Sequence, residues 1–192
     1  MVKSMQLASL VLRGIAMLFG VIVSAAIEDK ARGNYDVDYQ KFGFHYVRIC
    51  YYSNYDACPY AIGVGVFALV VAFVFLILDI LLMWKTSVKE KIGFCVTVAD
   101  IAMSVLLIVL WFVSLVFLGA NWSNGNVAHL EKKYDITISF TTSAARAGIA
   151  FSALSLLVWI ALLVLAVLKL KSLRSDRKSP GSGEEKKTPA PV

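Results

Sequence analysis

The chain has little charge and few of the residues that usually carry catalysis or bind metals. Asp, Glu, Lys and Arg make up 17% of its 192 residues, and it contains 2 His and 3 Cys. The sequence shows no Ser/His/acid set, Gly-rich phosphate loop or cofactor motif. These shortages predict a protein that is not an enzyme and that has no cofactor-binding or metal-binding site.

Apolar sequence is what the chain has in abundance. Hydrophobic residues make up 59% of it, and its mean hydropathy is +0.73. The chain contains four uninterrupted apolar runs, and we interpret them as having no polar face. Each run reaches the roughly 20 residues that a helix needs to cross a bilayer. They predict spans over about 7–27, 61–84, 92–120 and 142–168. The predicted fold is therefore an all-α membrane protein, a bundle of four transmembrane helices.

The end of the chain differs in composition from the rest. Residues 1–173 are predicted to form one four-helix membrane domain, whereas 174–192 are rich in Ser, Pro, Gly, Lys and Glu. Such a segment cannot bury apolar surface, so a disordered cytosolic tail is predicted. Ser179 and Thr188 each precede a proline and are candidate phosphorylation sites, where phosphate would reduce the basic charge beside the membrane.

Basic residues are distributed unevenly between the two sides of the membrane. Near the span ends, eleven Lys and Arg fall on the side of both termini and the 85–91 turn, and six on the side of the 28–59 and 121–141 loops. The positive-inside rule then predicts cytosolic termini and lumenal or extracellular loops. The net charge of +6 is thus a juxtamembrane charge and not a nucleic-acid footprint. The basic residues of the chain from 169 to 178 could also attract anionic lipid headgroups.

The first loop on the non-cytosolic side contains two of the three cysteines, Cys50 and Cys58. Oxidation persists on that side of the membrane, and turn-forming residues such as Asn54 lie between the two. A zinc pair is the alternative, but neither histidine lies at ligand spacing from these cysteines. We therefore predict a disulfide between them, within a small lumenal loop.

Alternating residues in both loops predict β-strands. Aromatic and β-branched residues alternate from Phe42 to Tyr52, and Ile136, Ile138 and Phe140 alternate with polar residues in the second loop. We expect these two segments to pair with each other on the lumenal face.

Four ionisable residues lie within or at the edges of the spans, one in each: Arg13, Asp79, Asp100 and Arg146. At 1.5 Å per residue, the first three lie about 10, 8 and 12 Å from the cytosolic ends of their helices. A charge in hydrocarbon usually faces a partner or water. We therefore predict a buried cluster in which Arg13 contacts Asp100 directly, with Asp79 nearby. Arg146 lies near the lumenal face, and we expect its side chain to reach the interface.

Two interpretations of this cluster compete. In the structural one, the cluster fixes the order and register of the helices. In the other, it is part of a proton or cation path, which would need a continuous polar track that the sequence does not show above this layer. One Arg against two acids also leaves a spare negative charge unless one Asp is protonated or solvated.

A set of residues and short motifs is spread over all four spans. It comprises Val11-Leu12-Arg13, Leu18-Phe19, Asp56-Ala57-Cys58, Tyr60, Gly63-Val64-Gly65-Val66, Asp79, Asp100, Leu110-Trp111-Phe112-Val113, Asn121-Trp122, the run 144–152 and Trp159. In combination these features resemble those of the synaptogyrin family, within the wider MARVEL group of four-span vesicle and junction proteins. The resemblance covers about residues 11–165, and the tail departs from it, because it is short and has no Tyr.

The resemblance implies a non-enzymatic membrane protein of synaptic-like or secretory vesicles that acts in vesicle biogenesis, trafficking and regulated exocytosis. Its partners would be the lipid bilayer and other vesicle membrane proteins, with no nucleic acid involved; the oligomeric state stays open, a homo-oligomer included. A junctional or barrier-forming four-span scaffold at the plasma membrane is the alternative, and a small channel or transporter is the third option.

Overall fold

The computed structural model describes residues 2–28, 32–36, 46–50, 56–84, 89–120 and 142–178. Most of them lie in four helices, α1 (Val2–Ala26), α2 (Ala57–Trp84), α3 (Lys89–Ala120) and α4 (Thr142–Lys178). Each contains an apolar segment long enough to cross a membrane: Met5–Ala26, Ala57–Met83, Ile92–Ala120 and Ala145–Ser175. Helices satisfy their backbone N–H and C=O groups internally, as hydrocarbon requires. The predicted four-helix membrane fold is confirmed.

All four helices extend beyond their predicted spans. Helix α2 begins at Ala57 instead of residue 61, and the amide of Tyr60 donates to the carbonyl of Asp56 over 3.1 Å. Pro59 therefore lies in the first turn, where its missing N–H would have had no partner within the helix. Helix α4 continues to Lys178, past the predicted domain boundary at 173. Residues 179–192, with the candidate phosphorylation sites, lie outside the described residues.

The helices form a closed ring in chain order. Helix α1 packs against α2 and α4, and α3 packs against the same two helices. As a result α1 faces α3 across the bundle axis, and α2 faces α4. We call the end of the bundle with Val2 and Lys178 the terminal end, and the end with Ile27 and Ala57 the loop end.

The polarity of this bundle is inverted relative to a soluble one. Large apolar side chains cover the outside, as at Leu7 (61% exposed) and Leu157 (60% exposed), whereas Arg13, Asp79 and Asp100 are buried. The buried positions of α1, α3 and α4 recur at alternating steps of three and four residues. That spacing is typical of left-handed helix packing with a narrow interior seam. The outer surface is therefore suited to lipid, and the polar groups lie inside.

Glycine allows α1 and α2 to approach closely. A Cβ added at Gly20 would lie 2.8 Å from the carbonyl oxygen of Gly65, and one added at Gly65 would lie 2.5 Å from the hydroxyl of Ser24. The Ser24 hydroxyl in turn donates to the carbonyl of Ile62 over 3.5 Å. The side chains at this contact are small, as is usual where helices pack closely within membranes.

A two-stranded antiparallel ladder and a disulfide lie at the loop end. Strand β1 (Arg32–Asp36) pairs with β2 (Tyr46–Cys50), with Arg32 opposite Cys50. Cys50 is bonded to Cys58 in the first turn of α2, as predicted, and both are buried. Strand β2 thus has a partner within its own loop, which was not predicted, and its predicted pairing with 136–140 is not tested. Residues 136–140 lie outside the described part.

Candidate functional site at the bundle axis

The site begins with Arg13, which lies on the interior stripe of α1. It is fully buried and is followed on the same stripe by Ala16 and Gly20. Residues three and four apart share one face of a helix, so Arg13 points to the bundle interior together with these small residues.

The Arg13 guanidinium contacts two carboxylates on two other helices. Its Nη2 donates to Oδ2 of Asp100 over 2.7 Å, and its Nε donates to Oδ2 of Asp79 over 3.0 Å. Its Cζ also lies 5.0 Å from the centre of the Phe75 ring, a cation–π distance. The planar fork of arginine suits this geometry, because separate nitrogens can reach two acceptors at once.

Asp79 receives hydrogen bonds from three residues on two helices, α1 and α4. Besides Arg13, the Ser9 hydroxyl donates to its Oδ2 over 3.1 Å, and Lys169 Nζ donates to its Oδ1 over 3.0 Å. Asp79 is 3% exposed, and the Lys169 side chain is 21% exposed. Lys169 thus reaches inward from near the terminal end of the bundle, with its apolar stem along the helices.

Lys169 resolves the charge imbalance that the sequence left open. With Arg13 and Lys169 against Asp79 and Asp100, the cluster carries two positive and two negative groups and is formally neutral. The sequence analysis missed Lys169 because it counted this residue with the juxtamembrane basic group. The signal was available, since an unpaired acid on the axis requires a cation at the same depth, and Lys169 directly follows the fourth predicted span.

The ion pairs cross the bundle in different directions. The pair between Arg13 and Asp79 joins the neighbours α1 and α2, whereas Arg13 with Asp100 joins α1 to the opposite helix α3. Lys169 with Asp79 spans the other diagonal, from α4 to α2. We call these four residues the axial charge cluster. It ties all four helices together at one level.

One part of the axial charge cluster is incompletely satisfied. Arg13 Nη1 and Asp100 Oδ1 are buried and have no hydrogen-bond partner among the described residues. Asp100 is therefore bonded only through Oδ2, to Arg13, whereas Asp79 has partners on both oxygens. Among the described residues, Asp100 depends on Arg13 far more than Asp79 does.

The other predicted site residues lie elsewhere. Arg146 is exposed near the start of α4, at the loop end, and does not join the axial charge cluster. Tyr60, beside the disulfide, is partly buried. Its hydroxyl donates to the carbonyl of Leu110 over 3.4 Å, and its ring meets that of Phe117 edge-on, with 5.6 Å between the ring centres.

In the described part of the chain, no group of three or more His, Cys, Asp or Glu is placed to hold a metal ion.

Comparison with known proteins shows that the chain is similar to one membrane-protein family and to several of its members. The sequence matches the family described as MARVEL, membrane-associating domain, over residues 6–165. It is 31% identical to human synaptogyrin-1 over 157 residues, 81% of this chain and 61% of that protein. It is 28% identical to bovine synaptogyrin-2 over 84% of this chain and 65% of that protein. For human synaptogyrin-4 the identity is 34%, over 67% and 49%. The chain thus spans about three fifths of the length of the first of these relatives.

Proposed function

Because the chain belongs to the MARVEL family of membrane-associating domains, we propose that it is a non-enzymatic integral protein of synaptic-like or secretory transport vesicles. The observation that carries this proposal is its similarity to synaptogyrins over 81% of its length. In that membrane it acts in vesicle biogenesis, trafficking and regulated exocytosis, together with other vesicle membrane proteins. Both of its termini face the cytosol, in line with the excess of basic residues at the terminal end.

The axial charge cluster has a structural role in this proposal. Its ion pairs connect all four helices at one level, so sliding one helix along the axis would separate a carboxylate from its cation. An unpaired charge in the low-dielectric interior costs several kcal/mol. The cluster therefore favours one register of the helices. Its formal neutrality also removes any net attraction for a transported ion.

The experiment that tests the vesicle proposal is localisation of the tagged full chain in a secretory cell, followed by fractionation. We expect the protein to co-migrate with small vesicles. Protease added outside intact vesicles should cleave the C-terminal tail and spare the 28–59 loop. Accumulation at contacts between cells would overturn the vesicle assignment in favour of a junctional scaffold. Cleavage within 28–59 on intact vesicles would overturn the orientation.

A further inference from the structure

Buried polar groups without partners lie on the interior faces of α3 and α4, away from the axial charge cluster. The two helices pack against each other. Their interior stripes contain Trp111 and Ser114 on α3, and Ser155 and Trp159 on α4. All four residues are at most 1% exposed. The pairs are three and four residues apart, so each lies on one face of its helix.

The hydrogen bonding of these groups differs from that of two other polar residues on the same stripes, although Ser104 on α3 shares it. Thr97 and Ser152, on the same two stripes, donate over 2.7 Å to carbonyls of their own helix, at Gly93 and Gly148. In contrast, the Ser114 and Ser155 hydroxyls and both indole N–H groups have no partner in the part of the chain that the structure describes. Leaving a buried polar group unsatisfied costs about 1–3 kcal/mol, so four such groups are not explained by packing alone.

Helix geometry places these four groups near one another in depth. Asp100 on α3 and Lys169 on α4 belong to the axial charge cluster and give a common reference, to within the reach of the lysine side chain. At 1.5 Å per residue, Trp111 lies about 16 Å from Asp100 and Trp159 about 15 Å from Lys169. By the same measure Ser114 lies about 21 Å from Asp100, and Ser155 about 21 Å from Lys169. The antiparallel helices therefore place the two indoles at similar depth, and the two hydroxyls about one turn further towards the loop end.

The chemistry of the four groups defines what they bind. An indole N–H only donates, whereas a hydroxyl both donates and accepts. None of the four carries a charge, so the site offers no compensation for a buried cation or anion. The occupant must be neutral, must accept from the indoles, and must be small enough to lie within a bundle interior that lipid does not reach. Water meets these conditions, and buried water typically makes about three hydrogen bonds to otherwise unsatisfied groups.

We propose that Trp111, Ser114, Ser155 and Trp159 form an internal water-binding site between α3 and α4. It is separate from the axial charge cluster and gives the bundle a second polar centre, nearer the loop end. The bound water supplies the acceptor that each indole N–H lacks, and the hydroxyls hold the water in place. The two helices are thereby joined by hydrogen bonds through water at a depth where no direct bond links these four side chains.

The test uses the full chain in nanodiscs with ¹⁵N-labelled tryptophan, and detects water by magnetisation transfer from water to the indole N–H protons. Trp111→Phe and Trp159→Phe serve only to assign the signals. Trp84 and Trp122, at the ends of the predicted spans, provide a reference for contact with bulk water. We expect rotating-frame Overhauser cross-peaks to water at both buried indoles, and their loss in the double variant Ser114→Ala/Ser155→Ala.

The matched control is Ser152→Ala, one turn from Ser155 and equally buried, whose hydroxyl already has a backbone partner. It should leave both cross-peaks unchanged. Absence of water cross-peaks at Trp111 and Trp159 in the unmodified protein, with the reference signals present, would overturn the site. Cross-peaks that persist in the double variant, or that Ser152→Ala abolishes equally, would overturn the assignment of the two hydroxyls.

Discussion

Replacing Arg13 by leucine is the most informative single perturbation of the bundle. The change removes the cation between α1, α2 and α3 and leaves the two carboxylates in different situations. Asp79 keeps its bonds from Lys169 and Ser9, at 3.0 and 3.1 Å. Asp100 loses the one hydrogen-bond partner that it has among the described residues. The cost therefore falls mainly on Asp100.

The expected magnitude follows from this orphaned carboxylate. Removing one partner of a buried ion pair typically costs about 3–5 kcal/mol, which lowers the ratio of folded to unfolded protein roughly 10²- to 10⁴-fold. We expect Arg13→Leu to be retained or degraded in cells, and to unfold at clearly lower temperature after purification. Arg174→Leu, the same substitution at an exposed arginine near the terminal end of α4, is the matched control and should behave as the unmodified chain.

A double-mutant cycle tests the reasoning behind that magnitude. Arg13→Leu/Asp100→Leu removes a cation together with its dependent carboxylate, and leaves Asp79 paired with Lys169. The double variant should be more stable than Arg13→Leu alone and should regain part of its export. The measurements are thermal unfolding in detergent and the fraction of protein that leaves the endoplasmic reticulum. The pairing argument fails if Arg13→Leu is exported normally, or if the effects of the two substitutions simply add.

Three further substitutions address other contacts in the bundle. Lys169→Met should lower the unfolding temperature by less than Arg13→Leu, because Asp79 keeps its arginine and serine donors; a thermal shift measurement compares the two. Gly65→Val should separate α1 from α2, since even one added carbon would lie 2.5 Å from the Ser24 hydroxyl; reduced crosslinking between cysteines introduced in the two helices detects this. Cys50→Ser should release β2 from α2 at a cost of about 2.5 kcal/mol in the chain-entropy model and leave the four helices inserted; protease sensitivity of the 28–59 loop and circular dichroism report these effects.

Control variants and contradicting outcomes are available for these three substitutions. Lys171→Met, at an exposed lysine of the same helix, should be neutral, and equal losses at 169 and 171 would count against the inward role of Lys169. Gly63→Val, where an added Cβ meets nothing within 4 Å, is the control for Gly65. Unchanged crosslinking in Gly65→Val would contradict the close approach. Finding Cys50 and Cys58 as free thiols in the native protein would remove the basis of the disulfide prediction.

Much of the fold could be predicted from the sequence because hydrocarbon imposes simple rules. Apolar length alone identified the four spans. The relatives found by comparison confirm the resemblance to synaptogyrins. The structure confirms the predicted disulfide between Cys50 and Cys58. It could be predicted because the two cysteines share one short loop and had no competing partner. Counting depth along each helix also placed Arg13, Asp79 and Asp100 in one layer, where the structure has them in contact.

The features that were not predicted depend on which way a side chain points and on contacts between segments that are distant in the sequence. Lys169 was assigned to the cytosolic surface because position along the chain does not say whether a long side chain turns inward. The pairing of β2 with β1 was not predicted because alternation predicts a strand but not its neighbour. The spans were described as having no polar face. Hydropathy averaging hid a narrow stripe of Ser104, Trp111 and Ser114 on α3, which the three-and-four spacing of buried positions reveals.

The central claim is that the axial charge cluster stabilises the bundle and does not conduct ions. The most direct test compares the unmodified chain with Asp100→Asn in proteoliposomes, measuring proton and cation flux together with thermal unfolding. Stabilisation predicts no flux above protein-free vesicles for either protein and a lower unfolding temperature for Asp100→Asn, whose neutral amide leaves Arg13 opposite one carboxylate instead of two. Flux through the unmodified chain that Asp100→Asn abolishes while keeping its full thermal stability would contradict the claim.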